Sequence, residues 1–183
     1  MIHINKLISW RTVIATGPKL DEPLCFTAEE AGATISFNKV GNPDEAIIVT
    51  STNGKTWTPY TFNTVVTLAN VGDKVYFRAE DENDISFYKD SNNYYRFATI
   101  DEKKIAASGN IQTLMKAEGD RLDISGKTNC YRELFYGNKG LVAAPKLPAT
   151  ILASYCYTSM FQDCTSLTDI PALRATILAS YCY

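Results

Sequence analysis

The chain has 183 residues, 45% of them apolar and 21% charged, with eighteen basic against twenty acidic residues for a net charge of −2. That apolar content excludes general disorder, and the near-even charge balance excludes the basic footprint of a nucleic-acid binder. The sequence contains no run of about 18 apolar residues that would span a membrane as a helix, and its length suits one large domain or two small ones.

Residues 1–22 alternate weakly, with Ile2, Ile4, Leu7, Ile8 and Trp10 apolar, until Gly17-Pro18 breaks the pattern. Lys6 and Arg11 interrupt the apolar run, so the stretch does not read as a secretory signal. It is expected to be an edge strand on the following domain or an arm that docks on another subunit. An apolar terminus frays unless something ties it down.

Residues 23–103 read as all-β. Runs rich in Val, Ile, Thr, Tyr and Phe recur at 24–28, 33–38, 46–51, 56–62, 65–68, 74–79 and 94–99, between turn residues. Seven strands in about 80 residues fit an immunoglobulin-like sandwich. Asn53-Gly54 predicts a type I′ hairpin turn, because that pair tolerates positive φ at both central positions. Residues 104–121 change character. Asn110 is expected to cap a short helix with Ile111, Leu114 and Met115 on one face and Gly119 at its stop. Such a helix would serve as a linker and cover the first unit of the C-terminal region.

Residues 122–183 are dominated by a repeat. LPATILASYCY at 147–157 returns as LRATILASYCY at 173–183, an offset of 26 residues. Cys130, Phe135, Leu141 and Pro145 stand one offset before Cys156, Phe161, Leu167 and Pro171. A period in the twenties predicts a solenoid of stacked units. The predicted inward residues are Cys130, Leu134, Phe135, Leu141, Cys156, Met160, Phe161, Cys164 and Leu167. The third copy stops midway, and the expectation is that further 26-residue units follow Tyr183.

The full unit, LPATILASYCYTSMFQDCTSLTDIP, resembles the BspA-like branch of leucine-rich repeats through Tyr157, Phe161, Cys164, Leu167 and Ile170-Pro171. That resemblance implies a helical or 3₁₀ segment near 153–161 and a short strand near 167–170. It also implies that Asn138, which stands where Cys164 does, meets backbone groups of its turn. The segments LCFTAEEAGATISFNKVG, STNGKTWTPY and LANVGDKVYFRA resemble the Ig-like module that precedes such repeats in gut-anaerobe surface proteins and in crAss-like bacteriophages. The implied fold is mainly β: an N-terminal Ig-like sandwich followed by a short leucine-rich-repeat solenoid.

Candidate chemistry is sparse. His3 is the single histidine, so a His-based catalytic triad within this chain would have to use it. The five cysteines contain no CxxC pair. Cys130, Cys156 and Cys182 occupy equivalent sites, and if these lie on helical segments, neighbouring copies stand about 8–10 Å apart, beyond disulfide reach. Five buried free thiols and no bound metal are therefore expected. Ser51–Trp57 is similar to an Asp-box hairpin but is one residue short and lacks the Asp. The acidic run Asp81-Glu82-Asn83-Asp84 lacks the order and central Gly of an EF-hand loop. No phosphate-binding or dinucleotide motif occurs.

These features, with the two resemblances, imply a non-enzymatic structural or attachment protein of a bacteriophage virion that needs no cofactor. Its expected partners are capsid or tail proteins and a host surface ligand, within an oligomeric assembly, with no nucleic acid and no membrane span. The alternative is a bacterial cell-surface adhesin.

Overall fold

The computed structural model describes residues 22–183. Strands form in chain order as β1 (Leu24–Ala28), β2 (Ala33–Val40), β3 (Ile48–Ser51), β4 (Thr58–Pro59), β5 (Val65–Leu68), β6 (Lys74–Ala79), β7 (Tyr88–Asp90), β8 (Asn93–Ala98), β9 (Ile105–Ser108) and β10 (Leu141–Ala143). They make two sheets, ordered β10-β9-β1-β6-β3-β4 and β5-β2-β8-β7. The protein is mainly β, and no α-helix occurs among the described residues.

Period-two alternation sets which side chains face inward. On β6, Val75, Phe77 and Ala79 are buried, while Lys74, Tyr76 and Arg78 point away. On β8, Tyr95 and Phe97 are buried between Tyr94, Arg96 and Ala98. Antiparallel pairing sets Phe37 of β2 directly opposite Phe97 of β8, and their rings stack at 4.0 Å. Phe97 also meets Phe26 of β1 at 4.9 Å and Phe77 of β6 at 5.3 Å, across the gap between the sheets. Each such pair contributes about 0.5–1.5 kcal/mol beyond its area burial, so this aromatic cluster holds the sheets face to face.

Several expectations change. The Asn53-Gly54 turn is not type I′, because only Gly54 of the pair has positive φ. Side chains build the turn instead. Ser51 Oγ accepts from the N–H groups of Asn53 and Gly54, and Asn53 Oδ1 accepts from those of Lys55 and Thr56. The strand foreseen at 56–62 shrinks to Thr58–Pro59. Residues 105–108, expected to lie in the linker, form β9, which pairs antiparallel with β1. Alanine is a weak strand former, but Ile105 and Ala107 alternate into the core and tertiary pairing decides the conformation. The helix after Asn110 is a single 3₁₀ turn, Ile111–Leu114, with Asn110 Oδ1 accepting from Gln112 N–H. It is buried throughout, inside the protein rather than across its end.

Beyond it the chain winds into coils that stack on the first sheet. β10 pairs in parallel with β9, Ala143 bridges Asp169, and Ile151 bridges both Asp123 and Ile177. The helical segment implied for 153–161 is absent. It is a run of β-turns in which about every fourth residue is left-handed: Asn129, Glu133 and Gly137 in one coil, Tyr155, Ser159 and Asp163 in the next. Alternate N–H groups close turns within the coil, as from Cys130 to Lys127 O and Leu134 to Tyr131 O. The others donate sideways, from Tyr131 to Cys156 O, Glu133 to Thr158 O and Phe135 to Met160 O. An α-helix would spend these donors internally and leave none to join the coils. The strand implied near 167–170 is reduced to the bridge at Asp169. One apolar core runs without interruption from Leu24 to Cys182.

Candidate functional site

Stacking at the 26-residue offset places equivalent residues in columns. Cys130, Leu134, Phe135, Leu141, Cys156, Met160 and Cys164 are buried, and Phe161 and Leu167 are half-buried against the same core. Tyr131, Tyr157 and Tyr183 stack at 5.8 and 6.0 Å. Phe135 and Phe161 stack at 5.4 Å. Both columns continue into the sheets, through Phe87 on Tyr131 at 5.8 Å and Phe97 on Phe135 at 5.5 Å. Neither junction is visible in the repeat spacing, because Phe87 and Phe97 lie in the sheet segment and outside any copy. Their backbones join as well: Phe87 N–H donates to Cys130 O and Phe97 N–H to Leu134 O, both at 2.8 Å.

Asn138 departs from its expected role. Its Oδ1 accepts from Thr99 Oγ1 at 2.9 Å, so it ties its turn to the end of β8 rather than capping backbone groups. Cys164 does bond backbone, donating to Phe135 O of the preceding coil at 3.0 Å. Burial pushes its thiol up to about 11. The arm residues Ile2, Ile4, Leu7, Ile8 and Trp10, and His3, lie outside the described residues.

A charged clamp spans the seam between β8 and the first coil. The Arg96 guanidinium lies over Tyr94 at 4.6 Å and Tyr136 at 4.8 Å, and pairs with Glu133 at 2.8 Å. Arg132 covers Tyr88 at 4.7 Å and reaches the same carboxylate at 3.4 Å. The clamp is only about one-fifth exposed at Arg96 and Glu133, so solvent screens it less than a free surface pair. Arg96→Ala should therefore destabilise the protein by about 1–2 kcal/mol, from two cation–π contacts and a partly shielded ion pair. Lys89→Ala, which breaks an exposed pair with Asp44, should change stability by about 0.5 kcal/mol or less. Urea unfolding of both variants checks the difference.

The acidic run is occupied by cations of its own chain. Asp84 pairs with Lys127 at 2.6 Å and Arg121 at 3.0 Å, and Glu82 also pairs with Arg121. The hydrogen bond from Lys127, then that from Arg121, holds the Asp84 carboxyl below its usual range. Asn83 turns inward, accepting from Ile47 N–H and donating to Leu114 O. Among the described residues no three His, Cys, Asp or Glu side chains gather to hold a metal ion.

Two hollows lie side by side on the coils. One, of about 340 Å³, is bounded by Ser108 and Gly109 at the end of β9, by Lys146 and Pro148, and by Asp169 and Arg174. The other, of about 300 Å³, is apolar, with Tyr157, Met160, Phe161, Leu173 and Tyr183 in its walls. Leu147, Ile170 and Pro171 line both. Lys146–Pro148 and Ala172–Arg174 are one repeat apart, so the first hollow sits where two successive coils turn. Its wall carries two cations, one carboxylate and aliphatic groups, with no cysteine and no histidine. That lining offers both charged and aliphatic groups to a mixed polar and apolar surface. The hollow is not legible in the sequence, since its walls come from distant parts of the chain. No family model, curated protein or solved structure matches the chain. No helix among the described residues is long and apolar enough to cross a membrane.

Proposed function

We propose that the protein is a non-enzymatic structural and attachment component of a bacteriophage virion. In this reading the two-sheet body is an immunoglobulin-like module and the coils are a short leucine-rich-repeat solenoid. The body anchors the protein to capsid or tail proteins, and the coils project outward to meet a partner. The observation that carries the reading is the pair of aromatic columns running from the sheets into the coils, Phe97–Phe135–Phe161 and Phe87–Tyr131–Tyr157–Tyr183. A hinge at that seam would let the coils swing. Stacked rings, shared backbone hydrogen bonds and the Arg96 clamp make it stiff, as suits a projecting element that must hold a surface at a fixed distance. The resemblance of 147–171 to repeats used for display, and of 24–41 to the module that accompanies them, supports the same assignment.

The non-enzymatic part rests on where the ionisable groups lie. Asp84, Glu82 and Glu133 are held by cations, and the thiols are buried. Mass spectrometry of purified, intact particles from the source should find the chain at a fixed copy number per virion. Its absence from intact particles, with recovery from a bacterial surface fraction instead, would replace the virion with an adhesin on a cell.

A further inference from the structure

Asn53-Gly54 is the one Asn-Gly pair in the sequence. In such a pair the glycine nitrogen can close on the preceding carboxamide carbon, because no side chain on the glycine obstructs the approach. Asn53 is exposed to water, and Gly54 sits at φ +68°. The turn leads into β4, which is two exposed residues at the edge of the first sheet. β4 meets β3 through Val49–Pro59 and Thr50–Thr58, and an exposed edge this short opens locally at low cost.

The groups that would react are tied down. Gly54 N–H donates to Ser51 Oγ at 2.9 Å. Asn53 Oδ1 accepts from Lys55 N–H at 2.8 Å, Thr56 N–H at 2.9 Å and the Ser51 hydroxyl at 3.0 Å. Ser51 is itself buried. Cyclisation swings the Gly54 nitrogen towards Asn53 Cγ and takes its proton, and both movements break the bond to Ser51. The carboxamide must also turn its face to that nitrogen, while three donors hold its oxygen. We propose that Asn53 is a latent deamidation site, kept intact by the closed hairpin with Ser51 as its positioning residue, and modified when β4 detaches. This goes beyond the attachment role and does not depend on it.

The chemistry needs water and nothing else. The Gly54 nitrogen gives up its proton and bonds Asn53 Cγ, the Cγ–Nδ2 bond breaks, and ammonia leaves with that proton. The product is a five-membered succinimide. Water then adds to one of its two carbonyls and opens the ring, giving aspartate by one cleavage and isoaspartate by the other. One water is consumed and one ammonia released, with no change of oxidation state. The two products differ in the turn. Aspartate keeps the oxygen that accepts from Lys55 and Thr56. Isoaspartate carries the chain through its β-carbon, which lengthens the backbone by one atom and shifts the Gly54 N–H from Ser51.

The test incubates the full chain in mildly alkaline buffer, folded in one arm and unfolded in guanidinium chloride in the other, and samples both by brief tryptic digestion and mass spectrometry. Cleavage after Lys39 and Lys55 releases the peptide 40–55, whose other asparagine, Asn42, precedes Pro43. Proline has no N–H to lose, so a gain of about one mass unit in this peptide reports Asn53. A net hydrogen bond is worth a factor of about 2–10, so the folded chain should be modified at least about tenfold more slowly than the unfolded one. Ser51→Ala, shown to be folded by circular dichroism, should raise the folded rate by at least about threefold. Fragmentation should find isoaspartate as well as aspartate. Equal rates in the two arms, aspartate alone as product, or a folded Ser51→Ala modified at the unaltered rate would each overturn the proposal. The comparison of the two arms uses the unaltered chain, so it decides the matter even where Ser51→Ala does not fold.

Discussion

Phe135→Ala should destabilise the whole protein, sheets and coils together, by about 3–5 kcal/mol. The ring is fully buried and stacks on Phe97 at 5.5 Å and Phe161 at 5.4 Å, with Phe26 at 6.2 Å. Removing it leaves a cavity between the first sheet, the second sheet and the first coil. The surrounding rings cannot collapse into that space while the Phe97–Leu134 and Phe135–Met160 backbone hydrogen bonds hold the walls apart. For a chain of this size about 2–4 °C accompanies each kcal/mol, so the midpoint should fall by about 6–20 °C. The loss is a large fraction of a typical margin of about 5–15 kcal/mol. Thermal unfolding followed by far-ultraviolet and near-ultraviolet circular dichroism should show one transition, shifted equally for both probes. A sheet transition left at its original midpoint, with only a second one displaced, would show that the coils are an independent unit.

Gly109→Ala should be nearly as damaging, by about 2–5 kcal/mol, for a different reason. Gly109 has φ +74°, which costs a residue with a side chain about 1–2 kcal/mol. An added Cβ would also overlap the Pro23 carbonyl oxygen and lie 2.7 Å from that of Glu22. Both are backbone atoms. They are held because Asn110 N–H donates to Glu22 O and Lys146 N–H donates to Gly109 O, each at 2.8 Å. The start of β1, the end of β9 and the turn between coils converge here, so relieving the overlap must part them, an overpacking cost of about 1–3 kcal/mol. Gly72→Ala provides the comparison. Its φ is +88° but nothing lies within 4 Å of the added carbon. It should cost only the conformational part, about 1–2 kcal/mol. Equal losses in the two variants, measured by urea unfolding, would refute the close approach at Gly109.

The 26-residue offset and the period-two alternation are local patterns, and they determined a good deal. The strands at Leu24–Ala28, Val65–Leu68 and Lys74–Ala79 were legible because short runs rich in strand-forming residues stand there between turn residues, and the last of them also alternates apolar with polar. The buried columns were legible because a repeat must present the same residue to the same neighbour each time it returns. Asn110 was legible as a cap because its side chain acts on an N–H only two residues away.

Tertiary structure decided the rest. β9 is mostly small residues with no strong propensity; its conformation is imposed by β1 on one side and β10 on the other. A helical or 3₁₀ segment near 153–161 was implied by the leucine-rich-repeat resemblance, and a resemblance does not reveal where the N–H groups of these particular coils will go. With the neighbouring coil a hydrogen bond away, alternate donors turn sideways and the helix is lost. That one difference joins Tyr131 to Cys156 across neighbouring coils and sets Phe135 onto Phe97. It also forms the hollow at Lys146 and Arg174. Each of these joins residues far apart in the chain, so their proximity follows from stacking and from the shared core, which no local pattern encodes.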